Sequence, residues 1–563
     1  MNSTSIGLTI LSAGQRGLAL TGQNIANAGT VGYHRQTLNL ASMTVDGVRG
    51  AGVDVASITR YEVPAARTAI LRGNGDREYA TARLNAQQQV EAALGTSPGT
   101  IGDGLEAFFN AAEELTAHPE STALRRTTLA AASDVANQLK TAAGDIDRLR
   151  ADVGTQIGRT VDEVNDFATR IAALNTRIAS VEQTGAQAND LRDQRDGLVN
   201  ELSKRMDVRI VPQPFGVVNV LATNAPVVVG EFANSFATSA DAAGNMVVTQ
   251  AGSSQPLKFS GGSLGGQLQT YNQDLTSTRS RLDGLAREFI TRVNAVQATG
   301  IGAGGPVTAA SAGVSVGDPT APLAAQGLPA TPTAGTLTIS LTNAGTRTNV
   351  AIPFDPATQS LNDLAAAITA GTGGAVQGGV DPQTNQLTLQ AQAGYSFDFA
   401  GRAPTTPPGG AAVPNPDTGG LLPALGLNGL FQGSDATTIA VRPEFTADPG
   451  RLAVSRTGQP ADATNLERLA AVRDQPVAGG RTLAGEFSDL AATVGQNVQL
   501  FSDQSEAQAA ALQNMSDIEL SVTGVDTNEE LVHLLDYQRM IDAGSKYLSV
   551  VNSALDKIME IIR

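Results

Sequence analysis

Three histidines, a repeat of aspartates and a glycine-rich stretch are where residue type and spacing in this sequence suggest chemistry. His34, His118 and His533 fall in three separate regions, and none has a second ligand three or four positions away, so zinc-site spacing is absent. Asp190, Asp193 and Asp196 recur every three residues, but Arg192 and Arg195 are interleaved with them. That pattern reads as a solvated, salt-bridged helix face and not as a cation cluster. Ser260 to Gly266 lacks the Lys-Ser or Lys-Thr that contacts nucleotide and Mg²⁺, so it reads as a turn before the next helix. The chain contains no Cys, which removes disulfides, thiolate metal sites and cysteine nucleophiles together. The residues therefore nominate no catalytic group, no cofactor site and no metal site, and the expectation is a protein that is not an enzyme.

With chemistry set aside, the composition reads as a globular chain with loop-rich stretches. A length of 563 residues exceeds what one core organises, so several domains are expected. Apolar residues make up 41% and charged residues 16%, with 60 Gly and 25 Pro, enough to bury cores between loop-rich stretches. The net charge of -16 argues against nucleic acid, whose phosphates need clustered Lys and Arg. Nowhere do about 18 apolar residues run together, so no membrane insertion is expected, and the N-terminus lacks the pattern of a cleavable secretory signal.

Helical period marks both ends. Leu11, Leu18 and Ile25 are spaced seven apart near the start, while Leu534, Ile541, Leu548, Leu555 and Ile562 repeat every seven near the end, beside a companion row that begins at Leu531 and continues through Gln538 to Met559. So wide a stripe needs a partner helix, either the N-terminal helix of the same chain or a neighbouring subunit. Between about 63 and 207 the sequence reads helical, with Pro64 in a first turn, breaks at Ser97-Pro98-Gly99 and His118-Pro119, and a long helix with rows such as Leu139, Ile146, Val153 and Ile157, Val164, Ile171. Short strands follow at 208–211, 217–221 and 227–229, then a helix through Leu275, Leu282 and Phe289. From 301 to 449 the chain is rich in Gly, Pro, Ala and Thr, with alternating strands at 337–341 and 387–389, one helix at 361–368, and an irregular loop at 404–420. Helical period returns at 465–472 and from Leu483 to Leu512.

The stretch from Thr21 to Gln36, with Asn24-Ile25-Ala26-Asn27 at its centre and Tyr33 in an aromatic turn, resembles the N-terminal signature of flagellar rod, hook and hook-associated proteins. Val31 stands where that family usually has Pro, and His34 where it often has Ser. Asp190 to Ser203, Ser260 to Gly266, and Gly524 to Gln538 with Ala543 to Leu548 resemble the FlgK-type branch, the hook–filament junction proteins. The resemblance implies a multidomain α+β subunit of an axial assembly, elongated, with long terminal coiled-coil helices and a helical bundle domain carrying an inserted β-rich domain. The expected segments are 1–62, an N-terminal axial helix and exit segment pairing with 525–563; 63–300, a helical rod with a short β subregion at about 207–260; 301–449, the β-rich insert; 450–524, return helices; and 525–563, the C-terminal axial helix.

It further implies export through the flagellar type III pathway, without a cleavable signal, to the extracellular hook–filament junction, and terminal helices disordered in the free monomer. The implied partners are copies of itself, hook protein, a second junction protein on the filament side, and an export chaperone at the C-terminal helix. The implied assembly residues are Leu11, Leu18, Asn24, Ile25, Asn27, Tyr33, Leu531, Leu534, Ile541, Leu548, Leu555 and Ile562. The alternatives are another axial protein, such as a hook or filament subunit, and a coiled-coil adhesin or binding module.

Overall fold

The computed structural model of the chain describes residues 3–30, 32–45, 48–95, 99–222, 225–405, 410–477 and 479–562. Val31, the Ser97-Pro98 part of the expected break and residues 406–409 of the expected loop lie outside the described residues.

The observed class is multidomain α+β, as expected. Helix α1 (Ser3–Ala26) leads into two antiparallel strands, β1 (Gln36–Val45) and β2 (Val48–Arg60). Then come α2 (Pro64–Leu94), α3 (Ile101–Ala117), the 61-residue α4 (Thr122–Glu182) and α5 (Asn189–Arg205). Strands β3 (Arg209–Pro212), β4 (Val218–Ala222), β5 (Ala225–Val229) and β6 (Phe232–Ala233) pair in that order, and β7 (Phe236–Ala240) pairs with β8 (Met246–Gln250). Helix α6 (Gly262–Gln269) passes through a wider turn at Thr270–Asp274 into α7 (Leu275–Ala298). The region of short strands beyond it holds α8 (Leu361–Gly371), α9 (Leu421–Leu425) and α10 (Pro443–Ala447), and the chain returns through α11 (Thr464–Ala470), α12 (Leu483–Thr523) and α13 (Thr527–Ile562).

The chain divides into two compact units, and α2, α4 and α12 contribute residues to both. One is formed by 86–151 and 273–498, the other by 1–85, 152–272 and 499–563. In the first, Phe108, Phe109, Phe289 and Phe431 meet largely edge to face with ring centroids 5.0–6.5 Å apart. Those contacts add to the burial of the rings themselves. Its β-rich part centres on the strand 335–343, flanked by 346–354 and 395–398, over a core that includes Leu337, Ile339, Leu364, Ile368 and Phe397. Capping boxes start two of its helices, Thr100 with Asp103 and Ser360 with Asp363.

The second unit holds the terminal helices and is where sequence and structure differ most. The exit segment contains the β1–β2 hairpin, which was not expected. Helix α12 runs on to Thr523, past the Leu512 at which its apolar period fades. Ser260 to Gly266 is a turn only in its first residues, because Gly262 opens α6. Gly262 has a φ of 71°, and a Cβ there would lie 2.4 Å from the Arg205 backbone; one on Gly266 would lie 2.6 Å from Tyr79 O. These glycines let α6 approach α5 and α2 closely.

Candidate assembly interface

Helix α13 begins where Asp526 Oδ1 accepts the Asn528 N–H at 2.8 Å, with Glu529 and Glu530 in the first turn. A carboxylate at this position satisfies a free backbone donor and opposes the positive helix end. The helix lies antiparallel to α1. Cβ atoms built on Gly7, Gly14 and Gly17 would come within 2.5, 2.7 and 2.4 Å of Leu548, Ile541 and Tyr537, and one on Gly544 within 2.9 Å of Ile10. The close-approach face is thus made of small residues, and the buried ridge of α1 is Gly7, Ala13, Gly14, Gly17, Leu20, Thr21 and Asn24.

The residues singled out from the heptads take different places. Leu11, Leu18, Ile25, Leu534, Ile541 and Leu548 are half-buried. Leu531 and Leu555 are exposed, and with them Val532, Leu535, Val550, Ile558, Met559 and Ile561. The side chain of Ile562 lies outside the described residues. One side of α13 is therefore covered by α1, while a second apolar side, and the turns beyond about residue 552, have no cover among the described residues.

A polar node closes the other end of the pair. Asn24, 1% exposed, donates through Nδ2 to Gln36 O at 2.8 Å and to Glu530 Oε2 at 3.0 Å; its Oδ1 accepts from Tyr33 OH at 2.7 Å and from the Gln36 N–H at 3.2 Å. Arg35 donates to Glu530 Oε1 and Glu529 Oε2 at 2.9 and 3.0 Å, and its N–H donates to Thr523 O. Asn27 only turns the chain, donating back to Gln23 O at 3.0 Å, and the left-handed residue of this turn is Gly32, with a φ of 81°. Of the signature residues, Asn24 and Tyr33 tie both terminal helices to the exit segment. Burial pushes the Tyr33 phenol up to about 12, with Asp190, Asp193 and Glu530 adding to the effect. A raised phenol favours folding below its unfolded value near 10, and the benefit is lost as pH rises through the folded value. Burial raises the Tyr537 phenol as well, so ultraviolet titration should show late phenols among the seven Tyr, of which the one near 12 is absent in Tyr33→Phe.

Helix α5 completes the node and corrects the reading of its aspartates. Asp193 and Asp196 are not on a solvated face and do not depend chiefly on the interleaved arginines. Arg60, its side chain 3% exposed, reaches Asp193 at 2.6 Å and Asp196 at 2.8 Å, and Arg67 grips both Asp196 oxygens at 2.5–2.6 Å. His34 Nδ1 lies 2.8 Å from Asp193. Arg192 turns away to Glu182 through two 2.7 Å bonds, and Arg195 donates to Gly216 O. Burial alone would raise the Asp196 carboxyl, but Arg67, Arg60 and Arg195 outweigh it and hold it below the usual range. Among the described residues no three His, Cys, Asp or Glu are grouped to hold a metal ion, and no helix is long and apolar enough to cross a membrane.

The family model "Flagellar hook-associated protein FlgK helical domain" matches residues 87–310. Flagellar hook-associated protein 1 of Salmonella typhimurium is 28% identical over 576 aligned residues, spanning 98% of each chain. The protein of the same name from Escherichia coli K12 is 26% identical over 575, again spanning 98% of each.

Along nearly its whole length the chain is similar to flagellar hook-associated protein 1.

Hook-associated protein 1 of Bacillus subtilis matches over 37% of this chain and 45% of its own at 28% identity. The flagellar hook junction protein FlgK from Burkholderia pseudomallei shares the fold, with a TM-score of 0.50 at 18% identity over 81% of this chain and 100% of that one. Within this chain, Gln36, Arg60, Arg67, Glu529 and Glu530 are node residues that the sequence pattern did not single out. Glu529 and Glu530 stood inside the C-terminal motif and Gln36 at the end of the N-terminal one. Arg60 and Arg67 carried no local signal.

Proposed function

We infer that this chain is a structural subunit of the bacterial flagellum at the junction between hook and filament, and that it performs no catalysis. The observation that carries the reading is the terminal helix pair, sealed on one side, locked at one end, and apolar on its remaining side. A stripe half covered within one chain is a surface for further helices. Covering each half-exposed Leu, Ile or Val contributes about 1 kcal/mol, and the row from Leu531 to Ile561 offers several. Leu11, Leu18, Ile25, Leu531, Leu534, Ile541, Leu548, Leu555 and Ile562 are proposed to serve assembly, with Asn24, Asn27 and Tyr33 fixing how the helices leave the rest of the subunit.

The proposed partners are copies of this chain, hook protein, a filament-side junction protein, and an export chaperone that holds the C-terminal helix before assembly. Export is proposed to follow the flagellar type III route without a cleavable signal. The similarity runs the length of the chain and disfavours the adhesin and hook-subunit alternatives.

Labelled copies should appear by electron microscopy at the hook–filament boundary, and cells lacking the chain should shed filaments; normal filaments in such cells would sink the reading. In hydrogen exchange, the amides of 553–562 should exchange fast in the dilute chain and slow markedly once the chain is seated on hook ends. Equal rates in both states would mean that this segment is not an assembly surface.

A further inference from the structure

The β3–β6 sheet carries two exposed phenylalanines at one end and an apolar cavity at the other. At the first end the β3–β4 and β5–β6 turns lie side by side, because Asn175 Nδ2 donates to both Val218 O at 2.8 Å and Gly230 O at 2.7 Å. Phe215 sits on the first of these turns and Phe232 opens β6 directly after the second, 56% and 77% exposed. Phe215 holds a φ of 55°, a left-handed conformation that Gly or Asn adopts with less strain. A strained position that presents an aromatic ring to solvent points to a contact surface. Beside Phe232, the exposed Glu231 has no hydrogen-bond or ion-pair partner among the described residues.

At the opposite end, Val208, Leu221, Ala222, Ala225 and Pro226 wall a cavity of about 440 Å³, with Asp207 and Arg209 also lining it. Asp207 is engaged, accepting from Ser260 N at 3.0 Å. The exposed Arg209 side chain has no such partner among the described residues.

We propose that copies of this chain touch head to tail through this sheet, with Phe232 of one copy entering the cavity of the next and Glu231 pairing with Arg209. The cavity has room for one aromatic ring, and the two unpaired charges are opposite in sign. Because knob and hole lie at opposite ends of one sheet, the contact is heterologous and propagates from copy to copy, whereas a self-matching patch would close a dimer. The choice of a second copy as occupant rests on the reading of the chain as a subunit of an axial array.

The absence of Cys makes the test direct. Ala233→Cys and Ala225→Cys variants, both of which keep Phe232, are mixed, assembled on hook ends and oxidised; a disulfide forms only where Cα atoms come within about 7 Å. Covalent pairs joining 233 to 225 are expected from the mixture, with none from either variant alone. Dominant 233-to-233 pairs, or no cross-link among copies that have attached to hooks, would overturn the proposal while leaving the structural reading intact. Failure of the parent chain to attach would strike both. In the same background Glu231→Arg or Arg209→Glu alone should lower the yield about fivefold, and the two together should restore it; equal yields throughout would remove the charge pairing.

Discussion

Replacing Ile541 and Leu548 together by Asp should abolish filament attachment at hook ends while the unit formed by 86–151 and 273–498 stays folded. Both side chains rest on glycines, Leu548 over Gly7 and Ile541 over Gly14, so no larger side chain stands between the new carboxylates and the α1 backbone. Pressing an unpaired carboxylate into such a contact costs several kcal/mol, and the helices part instead. The Phe108–Phe289–Phe431 core lies in the other unit and its melting should be unchanged. Electron microscopy of hook ends with thermal unfolding of the purified chain reads both parts. Normal filaments from the double variant would show that the pair is not used in assembly.

The second large effect is on stability. Asp196→Ala should destabilise the unit containing the terminal helices by about 3 kcal/mol or more, because it leaves Arg60, Arg67 and Arg195 facing one another in a buried site. Denaturant unfolding measures it, and a loss below about 1 kcal/mol would mean that Asp193 and water replace the lost carboxylate. The pH dependence carries the same information. Since Asp196 titrates lower in the folded chain than in the unfolded one, its contribution is fully present above the ordinary carboxylate value near 4 and is lost as pH falls through the lowered folded value. The parent chain should therefore lose stability more steeply than Asp196→Ala on acidification below about pH 4.

Most of the helical fold is legible in the sequence, because a helix that buries one stripe repeats its apolar residues. The rows Leu139–Ile146–Val153 and Ile157–Val164–Ile171 lie buried along α4. What was missed had other causes. The β1–β2 hairpin carries no apolar helical period, and its local signal is the sequence Val45-Asp46-Gly47-Val48 between two β-prone runs. The contact face of α1 was hidden because heptad reading weights large apolar residues, whereas close approach of two helices is made by Gly7, Gly14 and Gly17. Asp193 and Asp196 were misread because their nearest arginines in sequence are not their main partners in space; Arg60 and Arg67 lie more than a hundred residues away, and no local pattern announces them.

The hydrogen bond from Asn24 to Glu530 spans 506 positions of chain. Bringing together the ends of a flexible loop that long costs about 5 kcal/mol in entropy, more than one such bond returns. The intervening polypeptide must first condense and shorten the effective loop. The clasp between the two extremities is consequently among the last contacts to form as the chain folds, and among the first to open under stress.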